Sequence, residues 1–141
     1  MRLDKMTLCA LEETFRLYED LDQAKKEIPV LSMITRPAAE IKNEAAIFGS
    51  KLRNVGIAAD ISIMQGIGRV GGGSAPMLDL ETWAVAIVPK NMSVDKLGES
   101  LRNWVVPIIS HVQNDCLLLD MRTIADDELD VTAKALIDIL V

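Results

Sequence analysis

The chain has 141 residues, is half hydrophobic and carries a formal net charge of −6, which fits one globular domain and excludes a disordered or fibrous protein. No apolar run approaches the roughly 18–20 residues of a membrane span, and the N-terminus lacks a signal-peptide core, so we expect a cytoplasmic protein without a membrane partner. The acidic balance and an aromatic content of 4% argue against DNA or RNA being held by these residues alone.

Helices are predicted for the first third of the chain. Asp4 is placed to cap a helix whose polar side carries Glu12 and Arg16 as an i,i+4 pair. We expect a break at Leu21-Asp22 and a new helix at Pro29, because proline suits a first helical turn. The apolar stripe of the first helix recurs at three- and four-residue spacing and consists of Leu8, Leu11, Phe15 and Tyr18.

A longer helix is predicted to begin at Pro37 and to end before Gly56, since glycine favours the left-handed backbone just past a helix. A strand follows over Ile57 to Met64, and a second, nearly continuous apolar strand runs over Thr82 to Val88 before Pro89. The face of the helix expected to be buried consists of Ile41, Ala45, Phe48 and Leu52.

The connection from Gln65 to Pro76 contains a G-x-G-x-x-G pattern, formed by Gly66, Gly68 and Gly71. That pattern binds a dinucleotide only where a strand precedes it and a helix opens from it. Here further glycines follow, and Pro76 cannot carry a helix forward. We therefore interpret the segment as a glycine-lined connection and not as a nucleotide site.

The C-terminal part is predicted to add one helix, two strands and a closing helix. Ser93 caps a helix that runs to Trp104, and Asn114-Asp115 forms a hairpin turn between strands Pro107–Val112 and Cys116–Arg122. Asp126 or Asp127 then caps a helix that buries Leu129, Ala133, Leu136 and Leu140.

This order of elements, N-terminal helices followed by ββαββα, predicts an α/β fold of the two-layer α+β type. Its sheet is small and mainly antiparallel, with helices on one face. The sequence contains no linker or internal repeat, so we expect a single domain over residues 1–141.

Few residues of the sequence point by themselves to a metal, redox or anion-binding site. His111 has no cysteine or carboxylate set at metal-ligand spacing, so it is expected to be an ordinary strand histidine. Cys9 and Cys116 do not form a C-x-x-C pair and are expected to be small buried hydrophobes. Arg2 and Arg122 are the two cations placed where an anion could meet them, although a surface ion pair explains each equally well.

Four blocks of the chain, taken in order, resemble segments of one known enzyme family. The first runs from Arg2 to Tyr18 and matches the segment that begins the C-terminal part of that family. The others are Ile28 to Thr35, the loop Val70 to Pro76, and Val106-Pro107-Ile108-Ile109 followed by Leu118 to Thr123. Together they cover essentially the whole chain and resemble the bacterial selenocysteine synthase family, the L-seryl-tRNA(Sec) selenium transferases.

The resemblance implies an aminotransferase-like enzyme with pyridoxal phosphate that converts seryl-tRNA(Sec) to selenocysteinyl-tRNA(Sec) with selenophosphate. The family's cofactor lysine and tRNA-binding region lie upstream of the matched segment. We therefore expect no catalytic residue here, no covalently bound cofactor and no activity of the chain alone. The implied partners are the large cofactor domain or its separate chain, further copies in a homo-oligomer, and tRNA(Sec) through the complete enzyme.

The resemblance also implies where a substrate would meet this chain. Arg2 matches one of two arginines near the substrate end of the active site, and Arg122 matches an Asp-Leu-Arg-Thr segment of the last strand. The glycine loop with Gly71, Gly72, Gly73 and Ser74 would line the mouth of that site. The chain departs from the family at Ser110-His111, where Gly-Arg is usual.

Two alternatives remain open from the sequence. The chain could belong to a related pyridoxal-phosphate ammonia-lyase that acts on a small phosphorylated substrate. It could also be a non-catalytic module for interaction or oligomerisation, because its apolar helix stripe and its strand Thr82–Val88 need covering surface.

Overall fold

A computed structural model of the protein describes residues 3–70 and 79–141. The chain divides into two compact units, Met1–Arg36 and Pro37–Val141. The single domain over residues 1–141 stays a prediction.

The first unit is helical, as expected from its caps and spacing. It contains α1 (Lys5–Leu17), α2 (Leu21–Glu27) and α3 (Pro29–Thr35). The Asp4 carboxylate accepts from the Thr7 amide at 3.0 Å, which confirms the predicted cap. Glu12 and Arg16 form their ion pair at 2.8 Å.

Two expectations for the first unit are wrong. A helix begins at Leu21 instead of breaking there, because the Asp20 carboxylate accepts from the amides of Asp22 and Gln23 and caps it. Cys9 is exposed and not buried, since every residue of α1 is at least partly exposed.

The second unit has the predicted ββαββα order after its first helix. In chain order it consists of α4 (Ala38–Val55), β1 (Ala59–Arg69), β2 (Asp79–Pro89), α5 (Val94–Arg102), β3 (His111–Gln113), β4 (Cys116–Asp120) and α6 (Leu129–Leu140). In the described part of the chain the strands form one antiparallel sheet in the order β1-β2-β4-β3. This confirms the α+β class.

One face of the sheet packs against the helices. Val85 and Ile87 of β2 pair with Leu119 and Leu117 of β4, and all four side chains point into the core. Each buried aliphatic side chain of this kind contributes roughly 1.5–3 kcal/mol relative to an exposed one. The helices supply Ile41, Ala45, Phe48, Leu52, Leu97, Leu101, Ala133, Leu136 and Leu140 to the same core.

The ends of several elements differ from the sequence-based expectation. β1 continues past Met64 to Arg69, because Gly66 and Gly68 pair with Thr82 and Leu80 of β2. Gly66 and Gly68 therefore lie in a strand, which fits no dinucleotide-binding turn.

Residues 107–110 are irregular, whereas a strand from Pro107 was expected. The Ile108 amide donates to the Leu101 carbonyl at the end of α5, so it is not available to a sheet. β4 likewise ends at Asp120, two residues earlier than predicted.

The expected cap of the closing helix is also wrong. Asp126 to Glu128 form a 3-10 turn before α6, and the Glu128 carboxylate reaches back to the Ala125 amide at 3.0 Å. The predicted burial of Ala133, Leu136 and Leu140 is nevertheless confirmed.

Within the described ranges, none of the helices is both long and apolar enough to cross a bilayer.

Candidate functional site

The face of the sheet opposite the core helices carries a cavity of about 430 Å³. Its floor is made of small side chains, because Gly66 on β1 pairs with Thr82 on β2, and Ala84 follows on the same face. Its wall is formed by Ile109 and Ser110, which precede β3, and by His111, the first residue of β3. Asp120 also lines the cavity. The fold thus places polar groups around a cavity whose floor is made of small side chains.

Asp120 is the most constrained polar side chain of this cavity. Its Oδ1 accepts from the Thr82 hydroxyl at 2.5 Å and from the Arg122 amide at 3.0 Å. Thr82 is buried, at 4% exposure, so the hydroxyl bond is sheltered from water. The Thr123 hydroxyl donates to the Asp120 carbonyl at 2.9 Å. The Asp120 carboxylate therefore fixes the backbone between the end of β4 and Arg122.

Arg122 is buried, with 5% of its surface exposed. Its Nη2 donates to the Glu81 carbonyl of β2. The side chain crosses β2 to reach β1, where its Cδ lies 3.9 Å from the position that a Cβ on Gly68 would take. The guanidinium is therefore buried and bonded to the backbone of β2.

The other predicted site residues fall outside the described ranges. These are Arg2 and the loop residues Gly71, Gly72, Gly73 and Ser74. Their place at a substrate site stays a prediction. β1 ends at Arg69 and β2 begins at Asp79, and the Arg122 side chain lies close to these two strand ends.

Sequence reasoning missed the roles of Asp120 and Thr82. The available signal for Asp120 was its position two residues before Arg122 at the end of an apolar strand. Thr82 gave no comparable signal, because threonine is common in strands. Their pairing depends on the antiparallel register that sets Ala84 opposite Asp120.

The side chains of this chain do not fit a covalent site for pyridoxal phosphate. Such a site needs a lysine whose amine is enclosed by its pocket, so that it is neutral and reactive. Every lysine of the chain lies in the described ranges and is exposed. Those same ranges hold no group of three histidine, cysteine or carboxylate side chains that could bind a metal ion. His111 is exposed on β3.

Comparison with known proteins identifies the family. The family model described as L-seryl-tRNA selenium transferase matches residues 1–125. The chain belongs to this family. The blocks that carried the resemblance all lie within the matched range.

Named relatives of the family agree with this assignment. The L-seryl-tRNA(Sec) selenium transferase of Maridesulfovibrio salexigens is 39% identical over 142 residues, which cover 99% of this chain and 30% of that protein. The enzyme of the same name from Solidesulfovibrio magneticus is 43% identical over 139 residues, covering 96% of this chain and 30% of the relative. The chain therefore spans about 30% of the length of the curated relatives it matches.

Proposed function

We propose that this chain is the C-terminal domain of an L-seryl-tRNA(Sec) selenium transferase, which converts seryl-tRNA(Sec) to selenocysteinyl-tRNA(Sec) with selenophosphate. The observation that carries the proposal is the family match over residues 1–125. Because the lysines of this chain are exposed, we propose that other polypeptide supplies the lysine that binds pyridoxal phosphate.

The part played by this chain is to hold an anionic group of the substrate. Arg122 is proposed as a cation for that group, because a guanidinium binds the oxygens of an anion through paired N–H donors. Asp120 acts as a positioning residue, because it bonds the Arg122 amide and fixes where the side chain starts. Arg2 is proposed as the second cation for selenophosphate.

The remaining parts of the proposal follow from the same assignment. The complete enzyme binds tRNA(Sec), works in the cytoplasm and assembles as a homo-oligomer. The loop with Gly71 to Ser74 lines the mouth of its active site. Alone, the chain lacks activity.

A chimera tests this proposal. The matched segment of the Maridesulfovibrio salexigens enzyme is replaced by this chain, and conversion of seryl-tRNA(Sec) is measured with selenophosphate. We expect the folded chimera to be active, and Arg122→Met to raise the KM for selenophosphate about tenfold or more, as loss of a charge-assisted bond costs at least ~1.4 kcal/mol.

Arg102→Met is the matched control, because Arg102 is exposed on α5 and should leave the KM unchanged. A folded chimera that does not convert seryl-tRNA(Sec) would contradict the transferase assignment. An unchanged KM in a folded Arg122→Met variant would remove Arg122 from the substrate site.

A further inference from the structure

A second cavity, of about 610 Å³, lies at the other side of the segment that precedes β3. One wall is the irregular stretch from Val106 to Ile109, and the other is formed by Ile124 and by Val131 in the first turn of α6. Val106 is 50% exposed and Ile109 is 77% exposed. These aliphatic side chains line an open apolar groove, which we call the 106–109 groove.

The rim of the 106–109 groove is acidic. Asp127 and Glu128 stand in the 3-10 turn before α6, and Asp120 lies at the inner end. Among the described residues that line it, none is a lysine or an arginine. Asp127 and Glu128 are both exposed, and one carboxylate oxygen of Glu128 accepts from the Ala125 amide.

This combination restricts what can cover the groove. Carboxylates on the rim repel nucleic-acid phosphates and acidic lipid headgroups. They attract lysine and arginine side chains. A small cation would pair with the rim but would leave the aliphatic wall uncovered, and burial of that wall provides most of the available free energy.

We propose that the 106–109 groove binds a polypeptide segment that carries aliphatic side chains next to lysine or arginine. The aliphatic side chains pack against Val106 and Ile109, and the basic side chains meet Asp127 and Glu128. Charge complementarity and the exposed apolar wall both point to this occupant. The inference goes beyond the transferase assignment and does not depend on it.

The test uses the whole 141-residue chain and a short labelled peptide of alternating leucine and lysine, with binding followed by fluorescence anisotropy. The double variant Val106→Ser with Ile109→Ser removes the apolar wall, and Asp127→Lys reverses the rim charge. We expect each to weaken binding about tenfold or more, which corresponds to ~1.4 kcal/mol. A leucine–glutamate peptide should not bind.

Two matched controls use residues outside the groove. Val105 is 89% exposed but does not line it, so Val105→Ser should bind like the parent chain. Asp138 is exposed on α6 beyond the groove, so Asp138→Lys should also leave binding unchanged. Thermal melts check that every variant is folded, and Ile109→Thr replaces the double variant if that variant does not fold.

The proposal is overturned if the leucine–lysine peptide does not bind, if the glutamate peptide binds equally well, or if folded groove variants bind like the parent. Sedimentation gives a further outcome. Self-association that the groove variants abolish and that the leucine–lysine peptide does not compete with would show that the occupant is a second copy.

Discussion

At the scale of single residues, the candidate site depends on one sheltered hydrogen bond. Thr82, on β2, donates to the Asp120 carboxylate on β4, and Asp120 in turn accepts from the Arg122 amide. A partly buried carboxylate that loses a donor keeps part of its desolvation cost without the compensating bond. The position of Arg122 is therefore linked to the side chain of a threonine on a neighbouring strand.

Thr82→Val tests that link. We expect the free energy of unfolding to fall by about 1–3 kcal/mol, because the Asp120 carboxylate loses a sheltered partner. The measurement is chemical denaturation of the whole chain. Thr123→Val is the control, since its hydroxyl bond to the Asp120 carbonyl is exposed and water can replace it. Equal stability of the two variants would contradict the expectation.

A second residue pair makes stability depend on pH. Lys51 on α4 contacts Asp130 on α6 at 2.5 Å. The hydrogen bond from Lys51, and then its charge, lower the pKa of Asp130 below its ordinary value of 3.8. A lowered pKa in the folded state contributes stability above 3.8, and that contribution is lost as the pH falls through the folded-state value.

Asp130→Asn should therefore destabilise the chain slightly near neutral pH and make no difference at strongly acidic pH. The effect is small because the pair is exposed to solvent. Thermal melts of the two proteins across the acidic range measure the difference. A gap between them that persists or grows on acidification would show that the pair is not its cause.

At the scale of elements, the sequence predicted a helix end and a turn correctly where the backbone adopts a conformation that few residue types tolerate. Gly56 follows α4 with φ of 77°, and the β3–β4 turn sets Asn114 and Asp115 at φ of 51° and 57°. Both positions need the left-handed region, which glycine, asparagine and aspartate tolerate best. The hairpin turn was therefore predictable from its two residues alone.

The turn gives a direct prediction. Asp115→Gly should stabilise the chain by roughly 0.5 kcal/mol. Glycine removes the cost of the left-handed backbone at this position, and the greater entropy that it gives the unfolded chain offsets part of that gain. Asp115→Val should destabilise it, since a β-branched residue fits that backbone poorly. Denaturation midpoints give both values, and the reverse order would show that the turn has another conformation in solution.

Elements that depend on distant partners were not predictable to the same degree. The sequence indicated a loop at Gly66 and Gly68, yet both lie in β1 because β2 supplies eleven residue pairs in register from Ala59 to Arg69. Pro107 to Ile109 resembled a strand but is irregular, since Ile108 is bonded to the end of α5. Burial of Arg122 likewise follows from strand order, which spacing along the chain does not encode.

At the scale of the whole molecule, the net charge of −6 bears on the proposed substrate. Binding of tRNA phosphates needs an excess of lysine and arginine, and it weakens with salt in proportion to the phosphates contacted. This chain has 15 basic against 21 acidic residues. Recognition of tRNA by the complete enzyme should then reside mainly in other polypeptide.

The isolated chain should show no salt-dependent affinity for tRNA(Sec). Filter binding at low and physiological salt measures this, with the chimeric enzyme as the positive control. A binding constant that falls steeply as salt is added would mean that a local basic surface outweighs the overall charge.

The placement of β2 between β1 and β4 has a kinetic consequence. Hydrogen bonds join it to a neighbour on each side, and Val85 and Ile87 are fully buried between those partners. Such amides exchange with deuterium only when a large part of the fold opens. We expect the backbone amides of β2 to exchange most slowly and those of α1 to exchange early. Mass spectrometry of samples taken at successive times would measure the protection of each element.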